Sequence, residues 1–540
     1  MYYPRLNKYG VILSICQRYS LRLIESVINY SSFVLLKGLN QIKAILRAAR
    51  GDNEILLDFP IWIRYAHFIN VIFITLLIRS GIEILSAYPR LFWHDNTKPG
   101  TEWIRFSRKR FSKDKLHITL EEEESFPSVV ALPGHKNLGI GRHWHFFSII
   151  FWIANGVIYY ILLFTSDEWA RLIPTSPAII PQAFHDMIMY ASFHFPPAGH
   201  PYNAIQQLTY FGVVFILGPF MVATGAAMSP AIEARFPSYQ KIFRGRQVAR
   251  SLHFLGMVAF VLFIIIHLAM VIIERFPDNM GNIVLGHTTT FGVAAGLFAL
   301  YVIAVVAVHS WATGYSLKNP RRIKNALGVI IEPVWRALFR KLVSTQQHNA
   351  AEIAEYFPVN GYPPTSQKEY QELMQKNFAN WKLKVYGLVE NPLELSLSDL
   401  RKMHKQLQIT EHSCIQGWTA IGEWAGVVMN EIIAKCKPLP EAKYVVFNSL
   451  QSDDKGREYY EVLDIELAKH PQTILAYEMN GAPVPIAHGA PLRLRVETQL
   501  GFKQVKWLKS IEFVSTYENI GEGQGGYRED VMHYGFGAGI

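Results

Sequence analysis

Residues Arg250–Glu274 read RSLHFLGMVAFVLFIIIHLAMVIIE, and the rest of the chain is organised around this stretch. It is long enough to cross a bilayer, which takes about 20 apolar residues, yet it carries two histidines, His253 and His267. At about 100° and about 1.5 Å per residue, their rings fall within roughly 40° of one face and about 21 Å apart along the axis. Ligating groups inside a span are costly and mark function. This helix therefore presents two imidazoles to one side at opposite membrane depths.

Working outward, the 540 residues are 50% apolar and only 18% charged, which suits a membrane half joined to a soluble half. The formal charge of +10 gathers beside apolar runs, so it reads as membrane topology and not as nucleic-acid binding. Three cysteines, Cys16, Cys414 and Cys436, allow no disulfide framework and no CxxC site. Residues 1–56 read as an amphipathic surface segment, because Arg18, Arg22 and Glu25 interrupt its apolar run and argue against a cleavable signal. Apolar runs near 60–85, 145–165, 205–228, 250–274 and 289–313 predict about five transmembrane helices within 57–315. The loop after the first carries RFSRKRFSKDK and EEEE, which read as solvated charge runs around a short hairpin. Residues 316–376 read as a linker with an amphipathic helix near 329–343. Residues 377–520 break into short β-branched and aromatic segments punctuated by Gly, Pro and Asn, predicting a mixed, mainly β soluble domain. The polar, glycine-rich 521–540 reads as a loose tail.

Counting crossings places the long first loop, the loop carrying Arg235, Lys241, Arg244, Arg246 and Arg250, and the β domain on one side, here side B. The excess of basic residues there makes side B cytoplasmic by the positive-inside rule, in a bacterial inner membrane, with a periplasmic side B as the alternative. His67 lies near side A, His145 near B, His253 near B and His267 near A. Depth alone pairs His145 with His253 and His67 with His267. A lone span histidine is commonly just a helix contact, but four that pair by depth suit two bis-imidazole b haems. His143 points to a different face from His145, and His309 has no partner at its depth. Arg79, near the B end of the first span, suits either haem propionates or snorkelling to headgroups.

His67, GRHWHF at 141–146, HPYNAIQQLTY at 200–210, TGAAMSP at 224–230 and GRQVARSLHF…IIIHLAMV across 245–271 resemble the di-haem cytochrome b subunits of bacterial thiosulfate reductases, formate dehydrogenases and nickel hydrogenases. The resemblance implies electron exchange between a membrane quinone or quinol and a partner enzyme, with His67, His145, His253 and His267 as haem ligands.

In the soluble half, EHSCIQGWTAIGEWAGV at 411–427 sets Cys414 before a WT turn and a helix-like run, a candidate exposed thiolate and soft metal ligand, although a lone cysteine is more often an inert buried residue. Downstream, His488, Arg493, Arg495, Lys503 and Lys506 cluster around Gly and Pro turns, suiting either a bound phosphate or a solvated edge strand. The strings CIQGW, AYEMNG, HGAPLR and GFKQVKW resemble the molybdopterin-binding domain of the sulfite oxidase family, which includes the catalytic subunit of the bacterial methionine sulfoxide reductase. That resemblance implies molybdenum on Cys414 and a pterin held by His488, Arg493 and Lys506, with Lys503 a weaker candidate. It implies a molybdopterin-dependent oxidoreductase that transfers an oxygen atom to or from a small molecule, with sulfoxide-type reduction favoured over sulfite-type oxidation. The competing expectation is a di-haem electron carrier whose β domain is a cofactor-free docking module. Homo-oligomerisation is left open, and a transporter is disfavoured by the lack of repeats.

Overall fold

The computed structural model describes residues 59–110, 115–196, 202–339, 346–535 and 539. The expected amphipathic segment at 1–56 lies outside them. Five helices are long and apolar enough to cross a membrane: Ile61–Ala87, Leu138–Thr165, Ala204–Ala227, Arg246–Ile273 and Phe291–Lys318. The second begins earlier than its apolar run, at Leu138, so His145 stands two turns inside the helix and not at its mouth. Its start is wedged against the first span: a Cβ on Gly141 would lie 2.6 Å from Glu83 Cγ, and Glu83 accepts a 2.5 Å hydrogen bond from the Asn137 amide. The third span carries a π-helical stretch at Gly212–Leu217.

The soluble domain holds two five-stranded sheets. We label its strands β1 (Lys382–Gly387), β2 (Leu393–Ser396), β3 (Lys405–Ser413), β4 (Thr419–Val428), β5 (Tyr444–Ser452), β6 (Glu458–Asp464), β7 (Thr473–Met479), β8 (Ala482–Pro483), β9 (Arg493–Val496) and β10 (Leu508–Val514). One sheet runs β2–β1–β10–β5–β6, in which β10 pairs with β1 in parallel. The other runs β8–β7–β4–β3, with β9 also on β7. Residues 419–428 are a strand, not the helix-like run expected. They pair with β3 on one edge and β7 on the other and are buried over most of their length, as a central strand is. The main core, including Leu383, Val427, Leu475, Leu494, Trp507 and Ile511, lies within this domain.

Three segments depart from expectation. The amphipathic helix after the fifth span runs Pro320–Phe339, starting earlier than its apolar face suggests. The first interspan loop does contain a minimal hairpin (Arg90–Leu91 with Ile104–Arg105), and Arg108, Arg110, Lys115 and Glu121 of its charge runs are exposed, but part of its charge is buried. Arg90 is 2% exposed and pairs with buried Glu122 at 2.5 Å and with Glu102 at 3.0 Å, while Glu123 is also buried. Nor does the C-terminal segment form a loose tail. Gly526 precedes a short helix, Tyr527–Val531, in which Glu529 and Asp530 are buried, and Tyr534 packs on Phe502 at 5.1 Å.

Soluble and membrane parts meet at the side-B ends of the spans. Ala87 and Leu138 share a buried cluster with Ile415, Leu500, Phe502 and Tyr534. The first turns of the fourth span are gripped by the loop between the first two spans: Ser251 donates to the Phe92 carbonyl at 2.7 Å, and Arg250 donates to the carbonyls of Arg90 and Tyr88.

Candidate functional site: two imidazole pairs beneath a cationic thiol pocket

The fourth span meets His67 and His145 as its spacing predicts. His67 and His267 have ring centroids 6.3 Å apart. Two metal–imidazole bonds of about 2 Å, plus roughly 1.1 Å from each ring nitrogen to its centroid, sum to about 6 Å, so the pair is spaced to clasp one iron. His145 and His253 lie within electrostatic reach of each other at the other depth. Each is oriented by a hydroxyl from a neighbouring span. Ser80 Oγ donates to the Leu76 carbonyl at 2.7 Å and stands 3.1 Å from His145 Nδ1. Thr224 Oγ1 donates to the Phe220 carbonyl at 2.8 Å and stands 3.0 Å from His253 Nδ1. With its one proton committed to the helix, each hydroxyl accepts from Nδ1–H, which leaves the Nε2 lone pair for a metal. Beside each hydroxyl is a glycine, Gly81 or Gly225, whose Cβ would lie 3.7 Å from the His145 ring and 3.4 Å from that of His253. The donor set fits a haem, and each glycine lets an imidazole lie in contact with the neighbouring span. Ser80 and Thr224 were not singled out from sequence, although the dipeptides Ser80–Gly81 and Thr224–Gly225 were there to be read.

Two nearby histidines are engaged elsewhere. His143 Nδ1 lies 2.7 Å from the Gly139 carbonyl, and its ring lies beside Gly535. His309 sits between Thr75 Oγ1 at 2.9 Å and Arg79 Nη1 at 2.7 Å. Arg79 also donates to Thr313 Oγ1 at 2.8 Å and to the carbonyls of Ser128 and Ala131. Its fork is therefore turned onto the protein, which corrects both the propionate and the headgroup expectations for it.

Cys414 follows β3 on a tight turn, with Cys414 N–H to the Trp418 carbonyl at 3.0 Å and Gly417 N–H to the Cys414 carbonyl at 3.1 Å. Gly417 takes φ +115°, where a side chain is strained, and a Cβ there would meet Arg250 Nε at 3.4 Å. The Gly417 carbonyl accepts from Gln247 Nε2 at 2.9 Å, so the cysteine turn rests on the first turn of the fourth span. Against expectation the thiol is buried at 4% exposure, and burial pushes it up to about 11. Of the four residues that the resemblance implies for the pterin, the structure brings three together. His488, Arg493 and Lys506 line the same pocket as Cys414, together with Arg528, and no carboxylate lines it. Lys503, three residues earlier, points away into a buried ion cluster with Glu461 at 3.0 Å and with Glu529. Arg495 likewise pairs with buried Glu497 at 2.6 Å.

This concentration of charge is expensive without an anion. Burial, then Arg493 and Arg528, hold Lys506 well below the usual lysine range. Burial, then Lys506 and Arg493, bring His488 down to about 3. Arg493 Nε is buried without a partner. An anionic cofactor would answer all three. Asn360 Nδ2 approaches Cys414 Sγ at 3.6 Å and Gln416 Oε1 at 2.7 Å. Phe357 packs its ring on His412, Trp418, Trp424 and His488. Those two lie in the supposed linker, while Leu120 comes from the first interspan loop and Arg528 and Tyr534 from the supposed tail. Their role is invisible in sequence because each reaches the pocket only through long-range packing.

Residues 58–284 match the family described as prokaryotic cytochrome b561, and residues 370–520 match the oxidoreductase molybdopterin binding domain. Among curated relatives, protein-methionine-sulfoxide reductase subunit YedZ1, so named, of Azospira oryzae is 33% identical over 185 residues, 34% of this chain and 64% of that one. The protein-methionine-sulfoxide reductase catalytic subunit MsrP of Campylobacter jejuni is 31% identical over 191 residues, 32% of this chain and 64% of that one. MsrP of Xanthomonas campestris is 37% identical over 144 residues, 25% and 45% of the two chains. The chain thus spans less than two thirds of the length of each of these relatives.

Proposed function

From the premise that this multi-pass membrane chain joins a cytochrome b561 domain to a molybdopterin-binding oxidoreductase domain, we propose that it is a quinol-fed molybdenum oxidoreductase that reduces a small sulfoxide. One observation carries this reading: the Cys414 turn is hydrogen-bonded to the same helix that bears His253 and His267. A redox wire and a substrate pocket are thereby held in one rigid piece. His67 with His267 and His145 with His253 hold two b haems. Cys414 holds molybdenum, and His488, Arg493, Lys506, Asn360 and Arg528 surround the pterin and its phosphate. The bound metal–pterin group supplies two-electron oxygen-atom transfer. The chain's own residues do the rest. Phe357, Trp418 and Trp507 wall off water, the arginine and lysine neutralise the cofactor's anion, and Ser80 and Thr224 fix the imidazole tautomer. The two sulfoxide-reductase names among the relatives favour reduction as the direction.

Quinol has a natural seat on side A. A largely apolar cavity, about 1020 Å³ of empty space, lies beside His67 between the first and fifth spans, and Arg64 and Tyr301 supply its polar atoms. Both Arg64 Nε and the Tyr301 hydroxyl are buried without partners among the described residues. Side B, with the molybdenum domain, is assigned to the cytoplasm on the basic residues flanking it, of which Arg90 and Arg250 are spent on internal contacts, while Arg235, Lys241 and Arg244 remain at the boundary. Protease digestion of the C-terminal domain in spheroplasts tests that side. The activity is tested by metal analysis together with stopped-flow reoxidation of the dithionite-reduced haems by methionine sulfoxide. Two haems without molybdenum, or with molybdenum but no reoxidation, would sink the enzyme reading.

A further inference from the structure

Two arginines between the side-B imidazole pair and the cysteine turn are left unexplained by the site described above. Arg142 is three residues before His145, and its guanidinium lies 5.1 Å over the Phe146 ring with no hydrogen bond among the described residues. Arg246 is seven residues before His253 and so on nearly the same helical face. Its Nε donates to the Met228 carbonyl at 2.9 Å, and its buried Nη1 has no partner. The two guanidiniums lie within electrostatic reach of each other, and Arg142 is within reach of His145, Tyr534 and Cys414 as well. Neither lines the Cys414 pocket. Asp95 and Glu233 are near Arg246, but neither forms an ion pair with it, and Asp95 instead accepts from the Gln247 amide at 2.9 Å.

Arg246 Nη1 is the one nitrogen of the two guanidiniums buried without a partner among the described residues, and an unsatisfied guanidinium nitrogen beside a second guanidinium suits a carboxylate. Asp95 and Glu233 stand near Arg246 without pairing with it, and the haem of the His145–His253 pair would bring two further carboxylates to this depth. We propose that Arg142 and Arg246 bind the two carboxylates of that haem and turn its carboxylate edge toward Cys414. This takes over the role that Arg79 gives up. It rests on the two-haem reading, because it needs a haem at that pair.

The test is an anaerobic optical redox titration of the purified full-length holoprotein carrying Arg142→Gln, Arg246→Gln or Arg142→Lys, with His253→Ala used to identify which haem is which. Removing a cation beside the haem edge disfavours the extra electron. Each Gln variant should shift the reduction equilibrium of the His145–His253 haem about tenfold toward the oxidised form, the equivalent of 59 mV for one electron. The other haem should be unmoved, and Arg142→Lys should lie near the parent. Unchanged potentials in both Gln variants, or a shift confined to the other haem, would overturn the proposal. So would loss of molybdenum with haem potentials intact, since the guanidiniums would then serve the pterin. If only one haem is present and His253→Ala does not remove it, the two-haem reading itself fails.

Discussion

Thr224→Val is the sharpest single test of how the side-B imidazoles are poised. The substitution keeps the shape of the side chain and removes the oxygen 3.0 Å from His253 Nδ1. That N–H, buried between spans, is left without an acceptor, at a cost of about 1–3 kcal/mol. A hydrogen bond to Nδ1–H raises the basicity of the ligating nitrogen and favours ferric over ferrous iron, so its loss acts on the potential as well as on affinity. If roughly 1 kcal/mol of the penalty differs between the two oxidation states, the midpoint rises by about 40 mV. Haem affinity at the site should fall about tenfold, at the low end for outer partners of a metal ligand. Ser80→Ala should do the same through His145, and the double variant should lose the haem outright while the His67–His267 site is retained. Pyridine haemochrome analysis and optical redox titration measure both effects. If Thr224→Val has the parent's potential and haem content, then Nδ1 is not the protonated nitrogen and the tautomer argument is wrong.

Cys414→Ser should abolish molybdenum retention and sulfoxide turnover while both haems keep their spectra, as metal analysis and difference spectra would show; retained molybdenum would remove Cys414 from the metal. Lys506→Ala and Arg493→Ala should lower pterin content, measured as the fluorescent oxidised pterin, whereas Lys503→Ala should instead destabilise the domain by about 3–5 kcal/mol, because it strands two buried glutamates; the reverse pattern would restore Lys503 to the site. Glu123 gives a pH dependence. Burial raises its carboxyl to about 7 in the folded protein, above the 4.5 of an ordinary glutamate. The folded state thus binds the proton more tightly, so stability is fully present below about 4.5 and declines as pH rises toward 7, by at most about 3 kcal/mol. Thermal unfolding across that window should have a shallower slope in Glu123→Gln, with Asp95 and Glu233, also raised by burial, supplying the remainder, and an unchanged slope would exclude Glu123 as a source.

How far the chain could be read depended on how local each signal is. The four span histidines were legible because depth and helical period are both properties of the sequence itself. The pterin-loop residues were legible as a group, but Lys503 and Lys506, three residues apart, could not be told from each other, since a short 3-10 turn at Gly501–Lys503 sends one inward and the other to the pocket. Cys414 was given the wrong environment, because an exposed-looking polar flank, His412 and Ser413, is itself buried under Phe357 and the supposed linker. The acidic run at 121–124 looked solvated for the same reason. Its partner Arg90 lies about thirty residues away, and nothing within a helical turn announces the pair.

The assembly of the pocket bears on why the two domains share a chain. Leu120, Phe357, Asn360, Arg528 and Tyr534 all reach the Cys414 pocket from outside the sequence that matches the molybdopterin-binding family or from its border. Several are pinned by membrane-side contacts: Thr119 donates to Gln416 Oε1 at 2.9 Å, and a Cβ on Gly139 of the second span would collide with the Met532 carbonyl at 2.3 Å. A catalytic domain cut from this chain would therefore lose part of its pocket wall as well as its electron source. Conversely, the separation between His253 and the Gly417 contact is set by six residues of helix, about 9 Å of rise from Gln247, and not by a docking equilibrium. Transfer across that junction should be independent of ionic strength, unlike transfer between separate subunits held by surface charge.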